Sequence, residues 1–402
     1  MLSNPCNALI KRCPAITRRL IVVPVATLGI LGFLINTQLQ IIPLNSTICH
    51  PKTNIVFLKT HKCAGSSIQN ILMRYGYTNN LNFVLPRSGN YLGHPVPFNR
   101  TMVGPGRSFH ILAHHTRLNY AEIRAIMPRN SIYITVIRNP AQVFESLFYY
   151  YSFDKLLDCD IHKFIESMLS YSKEFLTKRF KRKYGANQMF FDLGGDPESF
   201  FNDTLMVKYI DELEYWFDLV LIAERMDESL ILLRHLLCWE MDDVVTFKLN
   251  ARHPMFKSNL TAAEQTSLLK LNRADQLLYD RFYKKHEEQV RAFGQNRMDA
   301  EVAELRRVTQ NWYHLCVMGE SPFKKGFKPT KHYVNPRVLK IETNKNVTNS
   351  SCNTMTMEEL VFTDLIRKRQ MLKYPLSFNR IKYLQRPVNS RLRKSKLKKN
   401  II

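Results

Sequence analysis

The first acidic residue of this 402-residue chain is Glu122, and twelve lysines and arginines, from Lys11 to Arg117, precede it. With no carboxylate to offset them, they supply half of the formal net charge of +24. Such a field favours polyanionic partners, whether nucleotide, nucleic acid or membrane surface. Acidic residues are missing again between Lys382 and Lys399, where eight basic residues stand among too few apolar ones to fold. Residues 376–402 therefore read as a solvated basic tail. No Cys-x-x-Cys pair and no histidine–cysteine cluster at metal spacing occurs, so no structural zinc is expected. No segment carries the Gly-x4-Gly-Lys-Ser/Thr order of a Walker A loop, which argues against an NTPase or kinase. No internal repeat is visible.

What is present begins with an apolar run, Leu20 to Ile35, preceded by Lys11, Arg12, Arg18 and Arg19 and followed closely only by Lys52. Sixteen residues rise about 24 Å as a helix, enough for a thin early-secretory bilayer. The basic flank keeps the N-terminus cytosolic, giving a tail over 1–19, a signal-anchor over 20–35, a stem over 36–52 and a luminal domain over 53–375. A cleaved signal peptide is the rival reading, although no small-residue cleavage site follows Ile35. Six Asn-x-Ser/Thr sequons, at Asn45, Asn99, Asn202, Asn259, Asn346 and Asn349, fit a luminal address. Cys49, Cys63, Cys159, Cys238, Cys316 and Cys352 would share it, with fifteen pairings open among the six.

Asn54 to Leu58 is a compact apolar run of the kind that forms a fully buried parallel strand. A loop follows, and from Ser66 the apolar positions Ile68, Ile71, Leu72 and Tyr75 make a helical stripe that stops at Gly76. The alternation recurs: strands at Phe109–Leu112, Ile132–Ile137 and Leu219–Ile222, and helices at Asn119–Met127, Pro140–Tyr151 and Asp227–Cys238. Ile161–Phe180, Ala262–Gln310 and Met357–Leu372 read as helical. The pattern predicts an α/β fold with a parallel sheet flanked by helices and ligands at the strands' C-terminal ends.

The loop Lys59-Thr60-His61-Lys62-Cys63-Ala64-Gly65-Ser66-Ser67 has the makings of an anion cradle. Its small residues let backbone amides approach, Ser66 and Ser67 can donate, and Lys59 and Lys62 supply charge. Arg138 ends the Ile132–Ile137 strand, and Ser146 lies two turns into the next helix. The bland alternatives are a solvated loop, an arginine capping the sheet and a serine on an exposed helix face.

Together, Phe57–Lys62, Val136–Pro140 with Glu145-Ser146, Phe190–Gly194, Leu219–Leu233 and Phe247–Arg252 resemble the galactose 3-O-sulfotransferase family, in conserved order from about Asn54 to Cys352. The resemblance implies a P-loop-NTPase-like sulfotransferase fold, a Golgi membrane location, and 3′-phosphoadenylyl sulfate (PAPS) as a co-substrate with no tightly bound cofactor. It implies sulfate transfer to the 3-hydroxyl of terminal β-galactose on glycoprotein or glycolipid glycans. Lys62 would meet the 5′-phosphosulfate, with Lys59, Ser66 and Ser67 around it, and Arg138 and Ser146 would hold the 3′-phosphate. His115 resembles the family's histidine in an Asn-His-x-Arg segment and is the candidate base, with His114 in the asparagine's place. His61 is read as a loop-shaping neighbour, and Arg117 as a further donor or glycan contact. Cys63 and Gly65 stand where the family usually has threonine and serine, so retuned donor binding is expected. Cys316 and Cys352 fall at family cysteine positions and imply a disulfide. Two other classes stay open: a catalytically weak luminal glycan-binding relative, and a nucleic-acid binder, which the sequons and anchor oppose.

Overall fold

The computed structural model describes residues 49–374 apart from 105, 107, 171–178, 180–182 and 323–336. The proposed tail, anchor and most of the stem, Asn45, and the basic C-terminal tail lie outside the described residues. Contacts divide the chain into Met1–Cys49 and His50–Ile402; the second unit holds the architecture that follows.

Four parallel strands form the central sheet: β1 (Ile55–Leu58), β2 (Ile111–Leu112), β3 (Ile132–Ile137) and β4 (Leu219–Ile222). The side chains of β1 and β4 are buried throughout, as expected of strands covered on both faces. Their order is β2-β1-β3-β4. The chain leaves β1 toward one edge and leaves β3 toward the other, so the strand order reverses between these two central strands. A crevice opens outside the carboxyl ends at such a switch point, and this is where ligands dock in open α/β sheets. The Lys59 loop follows β1 and Arg138 follows β3, one on each side of the crevice.

The flanking helices are α1 (Gly65–Thr78), α2 (Tyr120–Arg124), α3 (Pro140–Tyr150), α4 (Gln188–Asp192), α5 (Asp203–Trp216), α6 (Met226–Leu237), α7 (Ala262–Leu271), α8 (Arg273–Phe293) and α9 (Gln295–Cys316). Helix α3 starts where the residue types direct: Pro140 occupies the first turn, and the Asn139 side chain accepts from the Ala141 and Gln142 amides. An antiparallel ribbon of β5 (Val317–Pro322) and β6 (Leu339–Thr343) then precedes α10 (Ser350–Met355) and α11 (Glu359–Lys373). The ribbon was not legible as an element, because it carries no strict alternation, whereas α5 buries Met206, Ile210 and Leu213 at helical spacing.

Two expectations need adjusting. The second strand is two residues long rather than four. The helical stretch after Ala262 is three helices, broken at Asn272 and Gly294. The helix at Ile161 is present over Ile161–Ser167 and continues as a 3-10 turn over Met168–Ser170; residues 171–178 and 180 of that expectation lie outside the described residues. Cys316 and Cys352 are joined by a disulfide, as the resemblance implies, which staples the ribbon's start to α10. Cys49 and Cys238 are also disulfide-bonded, and Cys63 and Cys159 are free. The five described sequon asparagines are all exposed. No helix among the described residues is long and apolar enough to cross a membrane.

Candidate active site

A cavity of about 1050 Å³ opens at the switch point. Lys59, Lys62, Ser66, Ser67, His115, Arg138 and Ser146 all line it, so the fold gathers these sequence-predicted residues in one place. Seven cationic side chains face it, Lys59, Lys62, Arg138, Lys248, Arg252, Lys257 and Arg306, against only Asp227, Glu320 and Glu359. This surplus suits a multiply charged anion.

The loop is strained where it turns. Lys62 and Ala64 both have φ 62°, a conformation that non-glycine residues adopt at a cost of about 1–3 kcal/mol. Ala64 caps α1 without a side-chain hydrogen bond, and no acidic residue stands in the first turn. The positive end of the helix and its leading amides are thereby left to a ligand. Gly65 has a specific reason: a Cβ there would lie 2.8 Å from Lys59 Cγ. Any side chain at position 65 would have to displace Lys59. The Cys63 thiol is buried and points to the His61 carbonyl at 3.3 Å, and burial raises its pKa, so it stays a thiol and fills the loop.

The serines divide their roles. Ser67 Oγ donates to the Phe247 carbonyl at 2.9 Å, so its hydroxyl hydrogen is spent on tying the loop down. Ser66, the neighbour, faces the cavity with no hydrogen-bond partner among the described residues. Lys62 Nζ sits 3.6 Å from the Tyr150 ring centroid. Burial, then the charges of Arg252, Arg138 and Lys59, lower its pKa to about 7. Arg138 donates to the Lys62 carbonyl at 3.3 Å and to Gln142 at 2.9 Å, and Ser146 is buried in α3 beside it. Arg252 is paired with Glu145. It belongs to the Phe247–Arg252 segment that had marked the resemblance, although its residue types alone assigned it no role.

The histidines stack. His61 and His115 rings are 4.3 Å apart and nearly parallel, with Tyr91 4.9 Å beyond His115. His115 is hydrogen-bonded to the Lys59 backbone, and its buried Nδ1 has no partner. Burial, followed by the nearby Lys59, His61 and His94 charges, holds its pKa well below the ordinary histidine range. His61 is differently served. Its Nδ1 donates to Asp192 Oδ2 at 2.7 Å, and its Nε2 lies 3.4 Å from the Tyr91 hydroxyl. A carboxylate behind one ring nitrogen fixes the tautomer and leaves the other free to take a proton.

Asp192 was the residue least visible from sequence, although it lies inside the quoted Phe190–Gly194 run. Its carboxylate also accepts from the His61 backbone, His94 and Gln188. His61, His94 and Asp192 offer ligand atoms within 4.8 Å of one another, a grouping that short-range spacing does not reveal. The four donors already on Asp192 account for it as a hydrogen-bond network. His114 Nε2 bonds Thr363 in α11 at 3.0 Å, a structural role. One other expectation changes, that for Arg117. Arg117 is not in the cavity wall; it donates to the Phe191, Gly194 and Gly195 carbonyls.

The sequence matches the family model described as galactose-3-O-sulfotransferase over residues 20–361. Galactosylceramide sulfotransferase from Homo sapiens is 39% identical over 277 residues, covering 67% of this chain and 66% of that protein. Galactose-3-O-sulfotransferase 2 from Sus scrofa is 36% identical over 288 residues, 68% and 71% of the two chains. Galactose-3-O-sulfotransferase 3 from Homo sapiens is 35% identical over 292 residues, 70% and 67%. The match thus spans just under two thirds of the length of the galactosylceramide sulfotransferase.

Proposed function

The chain belongs to the galactose-3-O-sulfotransferase family, and on that premise we propose that it transfers sulfate from PAPS to the 3-hydroxyl of a terminal β-galactose on glycoprotein or glycolipid glycans. The observation that carries the reading is the cavity at the sheet's switch point, where Lys62, Ser66, Arg138 and Ser146 line the wall beside the bare N-terminus of α1.

The donor's 5′-phosphosulfate lies against that N-terminus and Lys62, and its 3′-phosphate against Arg138 and Ser146. The galactose oxygen attacks sulfur in line, the bond from sulfur to the phosphate oxygen breaks, and adenosine 3′,5′-bisphosphate leaves. Lys62 neutralises the charge growing on the leaving phosphate, while positioning supplies most of the rate. The hydroxyl proton passes to a histidine, worth about 10²–10⁴-fold. His115, with its unpartnered Nδ1, is the assigned base. The Asp192–His61 hydrogen bond favours a second reading in which His61 Nε2 takes the proton. His115→Ala and His61→Ala separate them: the base's loss abolishes turnover with donor affinity nearly intact, and near-normal turnover removes that histidine from the role.

Incubating the chain with labelled PAPS and a panel of galactosyl acceptors tests the reaction. Retained glycan binding without transfer would leave a catalytically weak glycan-binding relative. The address is proposed with it: a type II Golgi protein anchored by 20–35, with the catalytic domain luminal. The exposed asparagines at 99, 202, 259, 346 and 349 support this. An unglycosylated chain in cytosol or nucleus would sink it and revive the nucleic-acid reading.

A further inference from the structure

Lys59 does not stand in the cavity as a free cation. Its side chain is 3% exposed, and its ammonium donates to Gln69 Oε1 at 2.6 Å and Glu359 Oε2 at 2.5 Å. An ammonium has three donors, so one remains for a ligand. Glu359 comes from the first turn of α11, 300 positions along the chain. Its other oxygen accepts from Asn90 at 2.9 Å, and it too lines the cavity. Helix α11 is well placed to carry it. Arg369 donates to the carbonyls of Gly76, Tyr77 and Leu81, and Gln370 bonds both backbone groups of Phe83.

We propose that Glu359 is a positioning residue for sulfate transfer: by pinning the Lys59 ammonium between itself and Gln69, it keeps a charged donor aimed at the nucleotide's sulfate end. The proposal rests on the reaction proposed above. The charged and titratable groups around Lys59 are Glu359 from α11, Lys62 from the loop, and His114 and His115 after β2. Of these, Glu359 is the one carboxylate. Burial lowers the Lys59 pKa and Glu359 opposes it. Without the carboxylate, a buried ammonium sheds its proton rather than remain uncompensated. Glu359 therefore trades some positive charge in the cavity for a cation that stays charged and fixed.

The test compares the full chain with Glu359→Gln and Glu359→Asp, measuring PAPS kinetics and binding of adenosine 3′,5′-bisphosphate from about pH 6 to about pH 8.5. Glu359→Gln is expected to weaken nucleotide binding and raise the PAPS KM about tenfold or more, a deficit that widens as pH rises, with kcat changed much less. Glu359→Asp keeps the charge and recovers most of the loss. A deficit equal at every pH, or wild-type nucleotide affinity in Glu359→Gln, overturns the proposal. If the wild type binds the nucleotide but transfers no sulfate, the reaction fails and the binding comparison still decides the role of Glu359. A wild type that binds no nucleotide sinks both.

Discussion

Lys62 is held in a left-handed backbone conformation among three other cations, with its pKa lowered to about 7 chiefly by burial. In the donor-free protein it is therefore half-titrated near neutrality. A polyanionic donor favours the ammonium, so binding draws in a proton. Donor affinity is highest below pH 7 and falls as pH rises through it. Calorimetry in buffers of differing ionisation heat should show uptake of a fraction of a proton near pH 7.5, abolished in Lys62→Arg. Affinity unchanged between about pH 6 and about pH 8.5 would remove this role. Cys63 illustrates the opposite outcome. A thiol directly after Lys62 invites a nucleophilic reading, but its side chain turns into the core and burial keeps it protonated.

At the scale of elements, the site is two strand ends and two helix starts. Arg138 and Ser146 belong to one β3–α3 unit, so Arg138→Ala should weaken the donor mainly through its 3′-phosphate. Equal wild-type affinity for PAPS and its 3′-dephospho analogue would refute that assignment. The turn from β1 into α1 makes a less intuitive prediction. Replacing Gly65 with the family's usual serine adds a hydroxyl, but its Cβ would lie 2.8 Å from Lys59 Cγ. Gly65→Ser is therefore expected to weaken donor binding about tenfold, since displacing a packed side chain costs about 1–3 kcal/mol. Donor titration checks it, and tighter binding would show that Lys59 yields easily.

Over the whole molecule, long-range closures tie the C-terminal elements together. The Cys316–Cys352 bridge closes a 36-residue separation, which on the chain-entropy account contributes about 4 kcal/mol. Denaturant unfolding of the Cys316→Ser/Cys352→Ser variant should show a loss of about 2–4 kcal/mol; an unchanged midpoint would mean that the ribbon and α10 hold together without it.

The parallel sheet and the basic loop before α1 were legible because each depends on residue types a few positions apart, whereas the Arg138–Ser146 pair stood out only through the family resemblance. Apolar runs, helical stripes and a proline after a strand act locally, and strands followed by helices place their loops at one end of the sheet. The pairs that set protonation in the cavity were not legible. His61 meets Asp192 across 131 positions and Lys59 meets Glu359 across 300. Whether a buried lysine stays charged, or a histidine is oriented, depends on which carboxylate the packing brings within hydrogen-bond reach. The sequence by itself determined that a basic turn leads from a strand of a parallel sheet into a helix. Only the tertiary structure decided which of its cations and imidazoles are free to act, because the cost of burying a charge is set by its neighbours in space.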